Sequence, residues 1–448
     1  MPRPVVALVG RTNVGKSTLL NRIAGARLAV VDDQPHVTRD RVFAPVNWGD
    51  RDMLFVDTGG WSAAADSPIG LKVKHQAEMA IEQADAVVLV TSVTDGVLAS
   101  DEEVVALVRA AGKPAVLAVN KIDTDRREPL LPEFYRLGMD RVIAVSALHN
   151  RGIDELMDAV VSLLPPAETP TPARKGALRL AIVGRPNAGK STLLNAFLGD
   201  ERAIVDETPG TTRDPLDAEL VWGGRSLLLV DTAGIRKRSH LDYGVDYFSV
   251  LRSMQAIDRC DVALLVLDAV EPATAQDVSI ARYVFESGKG LVIVVNKWDL
   301  VPAAEREAHR DWLKQRLDFL SHVPTLRVSA KNRQNITEVL QRAVEVAEAR
   351  MRLLPPDAVD AAVKDAVQRY APPRLGKRSL SVTRAHQDEE RPWTFIVHVN
   401  DVRMVTQTYL RYLEHQMRAL FQYDGVPMQF VIVKAGRPKG GKRGVKAR

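Results

Sequence analysis

Residues 5–18 read VVALVGRTNVGKST. An apolar run, Val5 to Val9, stops at Gly10, and Gly15, Lys16 and Ser17 complete a G-x-x-x-x-G-K-S pattern. Leu19, Leu20 and Ile23 then recur at helical intervals. Strand, glycine loop and helix start are the setting in which this pattern cradles phosphates. Glycine lets backbone N–H groups approach a polyphosphate, and the helix start adds partial positive charge. Lys16 would reach the outer phosphates, and the Ser17 hydroxyl would ligate Mg²⁺.

The pattern occurs twice. LAIVGRPNAGKST carries Gly184, Gly189, Lys190 and Ser191. Thr38 of VTRD returns as Thr212 of TTRD, and Asp57 of DTGG as Asp231 of DTAG, at the same displacement as the glycines. Asn120 of NKID recurs as Asn296 of NKWD, and Ser146 of SAL as Ser329 of SAK, at slightly larger displacements. Motifs in one order with slowly growing offsets indicate a duplicated domain, with insertions taken up by the loops between motifs.

Composition bounds the rest. A chain of 448 residues, 46% hydrophobic and 26% charged, has room for about three globular domains with real cores. One cysteine, Cys260, excludes an intramolecular disulfide and a cysteine-rich zinc site, and beside Val262–Leu267 it reads as a buried core thiol. No signal peptide is seen, and no apolar run approaches the roughly 18 residues of a membrane span, so the expected location is the cytoplasm. The net charge of +5 is uneven. Residues 356–448 hold 17 Lys/Arg against 9 Asp/Glu, and from Lys434 onward there are seven basic residues and no acidic one. Such a glycine-interleaved block is either a solubilising end or an electrostatic contact for nucleic acid.

The predicted strands of the first repeat are Val5–Val9, Arg41–Asn47, Met53–Asp57, Ala86–Val90, Ala115–Asn120 and Arg141–Val145. Its helices begin at Lys16, near Leu71, at Ser100 and at Ile153. Four prolines from Pro165 to Pro172 favour an extended linker. The second repeat gives strands Leu180–Val183, Leu216–Trp222, Ser226–Asp231, Val262–Asp268, Leu291–Asn296 and Thr325–Val328. A last helix runs from Ile336 to Met351, closed by Pro355-Pro356. After it come a helix over Val359–Tyr370, strands Ser379–Thr383 and Thr394–Val399, a polar turn Gln387–Arg391, a helix Val405–Phe421 and a strand Met428–Val433. The expected fold is α/β: two tandem P-loop nucleotide-binding domains with mixed, mostly parallel sheets, then a small α+β domain. The expected boundaries are 1–164, linker 165–177, 178–354, 355–433 and a basic tail 434–448.

N-K-x-D selects the base. A carboxylate at Asp123 or Asp299 accepts from both guanine N1–H and the 2-amino group, a donor pair that adenine lacks. Asn120 and Asn296 would brace the loops, Lys121 and Lys297 pack along the purine, and Ser146-Ala147 and Ser329-Ala330 aim an N–H at guanine O6. The phosphate loops are Gly10, Arg11, Thr12, Asn13, Val14, Gly15, Lys16, Ser17 and Thr18, and Gly184, Arg185, Pro186, Asn187, Ala188, Gly189, Lys190, Ser191 and Thr192. Asp57 and Asp231 would hold Mg²⁺ through water, beside Ser17 with Thr38 and Ser191 with Thr212. The N–H of Gly60 or Gly234 would sense the γ-phosphate. Lys16, Thr38, Gly60, Lys190, Thr212 and Gly234 are the candidate catalytic groups.

The residue after D-x-x-G is Trp61 or Ile235, neither of which can orient a water. Asn13 and Asn187 are candidates to hold a monovalent cation, K⁺, between the phosphates; the alternative is that each shapes its loop.

Two sets of GRxNVGKS, TRD, DTxG, NKxD and SA, followed by a small basic domain, resemble the bacterial double-GTPase ribosome-assembly family called Der or EngA. The likeness extends to YAPPRLGKR (Tyr370–Arg378), RAHQ (Arg384–Gln387), FIVHVN (Phe395–Asn400) and YLRYLEHQMRALF (Tyr409–Phe421). It implies binding of the large ribosomal subunit and rRNA during assembly, domains rearranged by nucleotide state, a KH-like C-terminal fold and hydrolysis often stimulated by potassium. The expected oligomeric state is a monomer.

Departures from the pattern are specific. His36 replaces a glycine before Thr38, and Thr91-Ser92-Val93 occupies a place where an acid is common. The C-terminal domain lacks the G-x-x-G loop with which KH modules clamp a nucleic-acid backbone. Arg236-Lys237-Arg238 beside Gly234 could grip rRNA phosphates in one nucleotide state or pair with acids within the chain. Arg39, Arg41 and Arg213 read as surface charges rather than catalytic fingers. Beside the assembly GTPase stand a nucleotide-gated RNA or ribosome binding module with hydrolysis only as timer, a membrane-remodelling GTPase, and, against NKxD, an ATPase.

Overall fold

The computed structural model describes residues 3–25, 43–49, 51–58, 77–166, 177–199, 204–205, 217–232, 245–271, 273–372 and 379–435. The chain divides into two compact units, one around the first α/β sheet and one around the second with the C-terminal layer.

In the first unit, β1 (Val5–Val9) is apolar throughout and buried at every position, because parallel neighbours flank it and both sheet faces are covered. The order is β2 (Phe43–Trp48), β3 (Arg51–Asp57), β1, β4 (Ala86–Ser92), β5 (Ala115–Asn120), β6 (Val142–Ala144), with only β2–β3 antiparallel. Helices Lys16–Gly25 and Ile153–Leu163 cover one face, and Ala99–Ala110 and residues 77–83 the other. The expected helix near Leu71 and the loop around Thr38 lie outside the described residues. Residues Asp125–Leu137 form 3₁₀ turns not anticipated from the sequence; Pro129 and Pro132 within them exclude a regular α-helix.

The second unit repeats the plan. Its order is β13 (Thr325–Arg327), β12 (Gly290–Asn296), β11 (Val262–Asp268), β7 (Leu178–Val183), β10 (Arg225–Val230), β9 (Ala218–Trp222), β8 (Ile204–Val205). Cys260 is fully buried before β11, where burial pushes its thiol up to about 12.

The C-terminal layer is a sheet of order β14 (Val382–Gln387), β15 (Thr394–Val399), β16 (Gln429–Lys434), packed by helices Pro356–Arg369 and Gln407–Phe421. β14 replaces the expected strand Ser379–Thr383. The reason is Asn400, whose side chain accepts from Ser381 N–H at 3.0 Å and donates to Ser379 O at 2.8 Å, taking backbone groups a ladder would need. Gln387, expected in a turn, is buried at the end of β14, with Nε2 donating to Tyr423 Oη at 2.9 Å. Lys434, expected to open the tail, ends β16; residues 436–448 are not described. Pro355-Pro356 follows the helix end at Met351 and starts the next helix, with Pro356 in the first turn.

This layer and the second α/β sheet share one hydrophobic core. Leu291 N–H donates to Gly425 O at 2.8 Å, and Gly425 N–H to His322 O at 3.0 Å. The buried Arg350 guanidinium lies 3.8 Å from the Trp393 ring centre, while its Nε donates to Gly288 O at 2.8 Å. These contacts sit at the N-terminal ends of β11 to β13. The phosphate and base loops of the second repeat follow the C-terminal ends of β7, β12 and β13, at the opposite rim.

Candidate functional site

Both phosphate loops have the same geometry. Lys16 Nζ donates to Gly10 O at 2.9 Å and Arg11 O at 2.6 Å; Lys190 Nζ donates to Gly184 O at 2.7 Å and Arg185 O at 2.6 Å. Burial pulls Lys16 down to about 8; the Asp57 charge opposes this and Arg11 adds to it. Asn13 and Asn187 adopt left-handed backbone, with φ of 65° and 62°, which shapes both loops alike.

The side chains of Arg11 and Arg185, next to the first loop glycine, are held by acids. Arg11 Nε donates to Asp101 Oδ1 at 2.9 Å, and Arg185 pairs with Glu271 at 2.8 Å and Asp277 at 3.7 Å. Asp101 and Asp277 are each fully buried, and burial raises both pKa values although these arginines oppose it. Each also accepts an N–H at the start of its own helix, from Leu98 at 3.1 Å and Thr274 at 3.0 Å. In the first repeat one acid therefore caps a helix and hydrogen-bonds the phosphate loop; in the second the matching acid caps its helix but only approaches Arg185, whose close partner is Glu271.

The base loops are tied to the phosphate loops by the predicted asparagines. Asn120 Nδ2 donates to Val14 O at 2.8 Å and its Oδ1 accepts Ala147 N–H at 3.0 Å. Asn296 joins Ala188 O and Ala330 N–H, each at 3.0 Å. The approach is close: a Cβ on Gly15 or Gly189 would fall 2.3 Å or 2.1 Å from the asparagine Nδ2, at φ of +98° and +94°. Lys121 and Lys297 share left-handed backbone, φ 67° and 62°.

The repeats then diverge. Lys297 Nζ is held by Asp268 at 2.6 Å, whereas the matching residue in β4 is Ser92, bonded to Thr94 at 2.8 Å. Asp95, three residues on, pairs with Arg11 at 3.4 Å. Burial would raise the Asp95 pKa, but the Thr94 hydroxyl and the Lys121 and Arg11 charges hold it below the usual range. Ser146 Oγ donates to Asp123 Oδ1 at 2.8 Å, while Asp299 is exposed.

At the third motif, Ser17 Oγ donates to Asp57 Oδ2 at 2.6 Å, so the two oxygen groups expected around Mg²⁺ in the first site converge. Among the described residues, no group of three or more His, Cys, Asp or Glu converges. A cation here would thus draw most of its ligands from phosphate and water, as magnesium commonly does. Asp231 differs from Asp57: it is left-handed, φ 58°, with its N–H donating to Asp217 Oδ1 at 2.9 Å, and Asp217 is paired with Arg259 at 2.6 Å. Thr38, Gly60, Thr212 and Gly234 lie outside the described residues. So do His36, Trp61, Ile235, Arg39, Arg41, Arg213 and Arg236-Lys237-Arg238.

Sequence reasoning missed several braces. Arg22 donates to Ala147 O and Leu148 O, both at 2.8 Å; in the second repeat Arg333, from the loop itself, reaches back to Gly199 O at 2.8 Å. Superposing the repeats would have flagged Arg22, because Ala196 stands in its place.

Comparison with known proteins agrees with this geometry. A family model described as "50S ribosome-binding GTPase" matches residues 5–121 and again 179–297. Another, "KH-domain-like of EngA bacterial GTPase enzymes, C-terminal", matches 354–432. GTPase Der of Moorella thermoacetica is 42% identical over 98% of this chain and 100% of its own length. The chain belongs to the Der family of GTPases. Further Der relatives, from Symbiobacterium thermophilum and Myxococcus xanthus, are each 41% identical over 100% of this chain, covering 95% and 98% of their own lengths. As a Der GTPase it binds guanine nucleotide and hydrolyses GTP, and it carries two tandem GTPase domains followed in sequence by a KH-like domain. No helix among its described residues is long and apolar enough to cross a membrane.

Proposed function

We propose that this chain is a cytoplasmic, monomeric GTP-hydrolysing factor for assembly of the large ribosomal subunit, in which two switch domains control how the C-terminal domain meets rRNA. One observation carries the reading: two asparagine-braced phosphate loops share one chain, and the C-terminal layer packs into one core with the second sheet, at the rim opposite that repeat's phosphate and base loops. A change at the second site is thus positioned to move the layer as part of one body. The family description, "50S ribosome-binding GTPase", supports the choice of partner. The excess of basic residues in 356–448 supports a phosphate-rich surface.

The division adopted is 1–164, linker 165–177, 178–354, 355–433 and tail 434–448. Ser17, Thr38 and Asp57, and Ser191, Thr212 and Asp231, hold Mg²⁺; the convergence of Ser17 on Asp57 supports the first set. Asn13 and Asn187 hold K⁺ where Trp61 and Ile235 offer no water-orienting group. Asp123 and Asp299 read guanine.

The test is sedimentation of the full chain with large-subunit precursors in GTP, a non-hydrolysable analogue and GDP across a salt series. GTP-dependent, salt-sensitive binding is expected. Binding that ignores both nucleotide and salt would refute the reading.

A further inference from the structure

The two repeats share the asparagine frame but not the groups around the acid of N-K-x-D. In the first repeat, Arg127 Nη1 donates to Asp123 Oδ2 at 2.9 Å and also to Lys121 O at 2.7 Å. Ser146 Oγ occupies Oδ1 of the same carboxylate at 2.8 Å. In the second repeat, Ala303 stands where Arg127 would be, and among the described residues no side chain holds the Asp299 carboxylate.

An ionised carboxylate offers about four acceptor positions, two on each oxygen. Ser146 and Arg127 use one on each, leaving one on each for a ligand. Guanine presents two donors to that edge, N1–H and the 2-amino group; hypoxanthine presents only N1–H. A carboxylate held in one plane favours the two-point ligand, because a freely turning one must lose rotational freedom to meet both donors.

We propose that Arg127 is a positioning residue that sets the first site's preference for a 2-aminopurine over a purine lacking that group. This rests on the reading of Asp123 as the guanine acceptor. The second site, without such a brace, discriminates less. The competing possibility is a simple surface pair four residues apart, which would leave base choice untouched.

The experiment uses the full chain carrying Lys190→Ala, so that only the first site is read, and displaces a fluorescent GDP with GDP or IDP. Arg127→Gln is expected to weaken GDP by about three- to tenfold and IDP by less than about twofold, lowering the GDP:IDP ratio. Arg127→Lys restores only part of the ratio, since an ammonium keeps a donor toward Asp123 but lacks the planar, pre-organised guanidinium that fixes its direction. Equal weakening of both nucleotides, or of neither, overturns the proposal. Asp123→Asn is the control for the underlying reading: an unchanged GDP:IDP ratio in that variant means that Asp123 does not read the base, a failure distinct from that of Arg127.

Discussion

Asn120 donates to the carbonyl of Val14 across 2.8 Å, joining the loop that reads the base to the loop that wraps the phosphates. The second repeat reproduces the bond between Asn296 and Ala188 at 3.0 Å. Both asparagines are buried, so each acts as a strut between loops.

Replacing Asn120 with Ala strands a buried carbonyl and a buried N–H, at about 1–3 kcal/mol for each group. Guanine nucleotide affinity should fall at least about tenfold at the first site and stay unchanged at the second. Fluorescent GDP binding to the variant and to Asn296→Ala, which should show the mirror image, checks this.

Lys16 gives the first site a pH signature. Its pKa is lowered from the ordinary 10.5 to about 8 in the folded protein, by burial above all. Between those values the unfolded chain holds a proton that the folded chain has lost. The cost of burying this ammonium, present below about 8, is therefore relieved as pH rises toward 10.5. A bound polyphosphate requires the charged form, so nucleotide affinity at the first site should decline above pH 8. Calorimetry at pH 8.5 in buffers of different ionisation enthalpy should find up to about one proton taken up per nucleotide at that site, and none after Lys16→Arg.

Asp268 holds Lys297 at 2.6 Å, and both side chains are partly buried. Asp268→Asn should speed GDP release from the second site by about threefold and leave the first untouched. Stopped-flow release of fluorescent GDP measures both phases.

Gly425 fastens the C-terminal layer to the second sheet. An added Cβ there would lie 2.6 Å from Leu291 O and 2.8 Å from Val346, at φ +69°. Gly425→Ala should destabilise the second unit by about 1–3 kcal/mol without changing guanine affinity at either site. Denaturant unfolding monitored beside nucleotide binding separates the two effects.

Elements set by one short segment could be read from sequence: strands such as Val262–Asp268 and Ala115–Asn120 lie where their apolar runs put them. Among braces between distant segments, the asparagine struts were legible because the N-K-x-D motif marks them; braces that belong to no motif were not. Arg22 and Leu148, or Arg11 and Asp101, are far apart in the chain, and each arginine alone resembles a surface charge. Local competition explains the displaced strand before Val382, because Asn400 captures the backbone of Ser379 and Ser381. Pro355-Pro356 reads in the sequence as a stop because proline interrupts helix interiors, yet Pro356 suits a first turn, whose N–H has no partner within the helix.

Equilibrium titration of the full chain with GDP, GTP and ATP counts the pockets and their base preference together. Two guanine nucleotides per chain are expected, one lost in Lys16→Ala and the other in Lys190→Ala, with ATP failing to compete at either. A single binding equivalent, or ATP competing as well as GTP, would contradict a pair of guanine-selective sites on one chain.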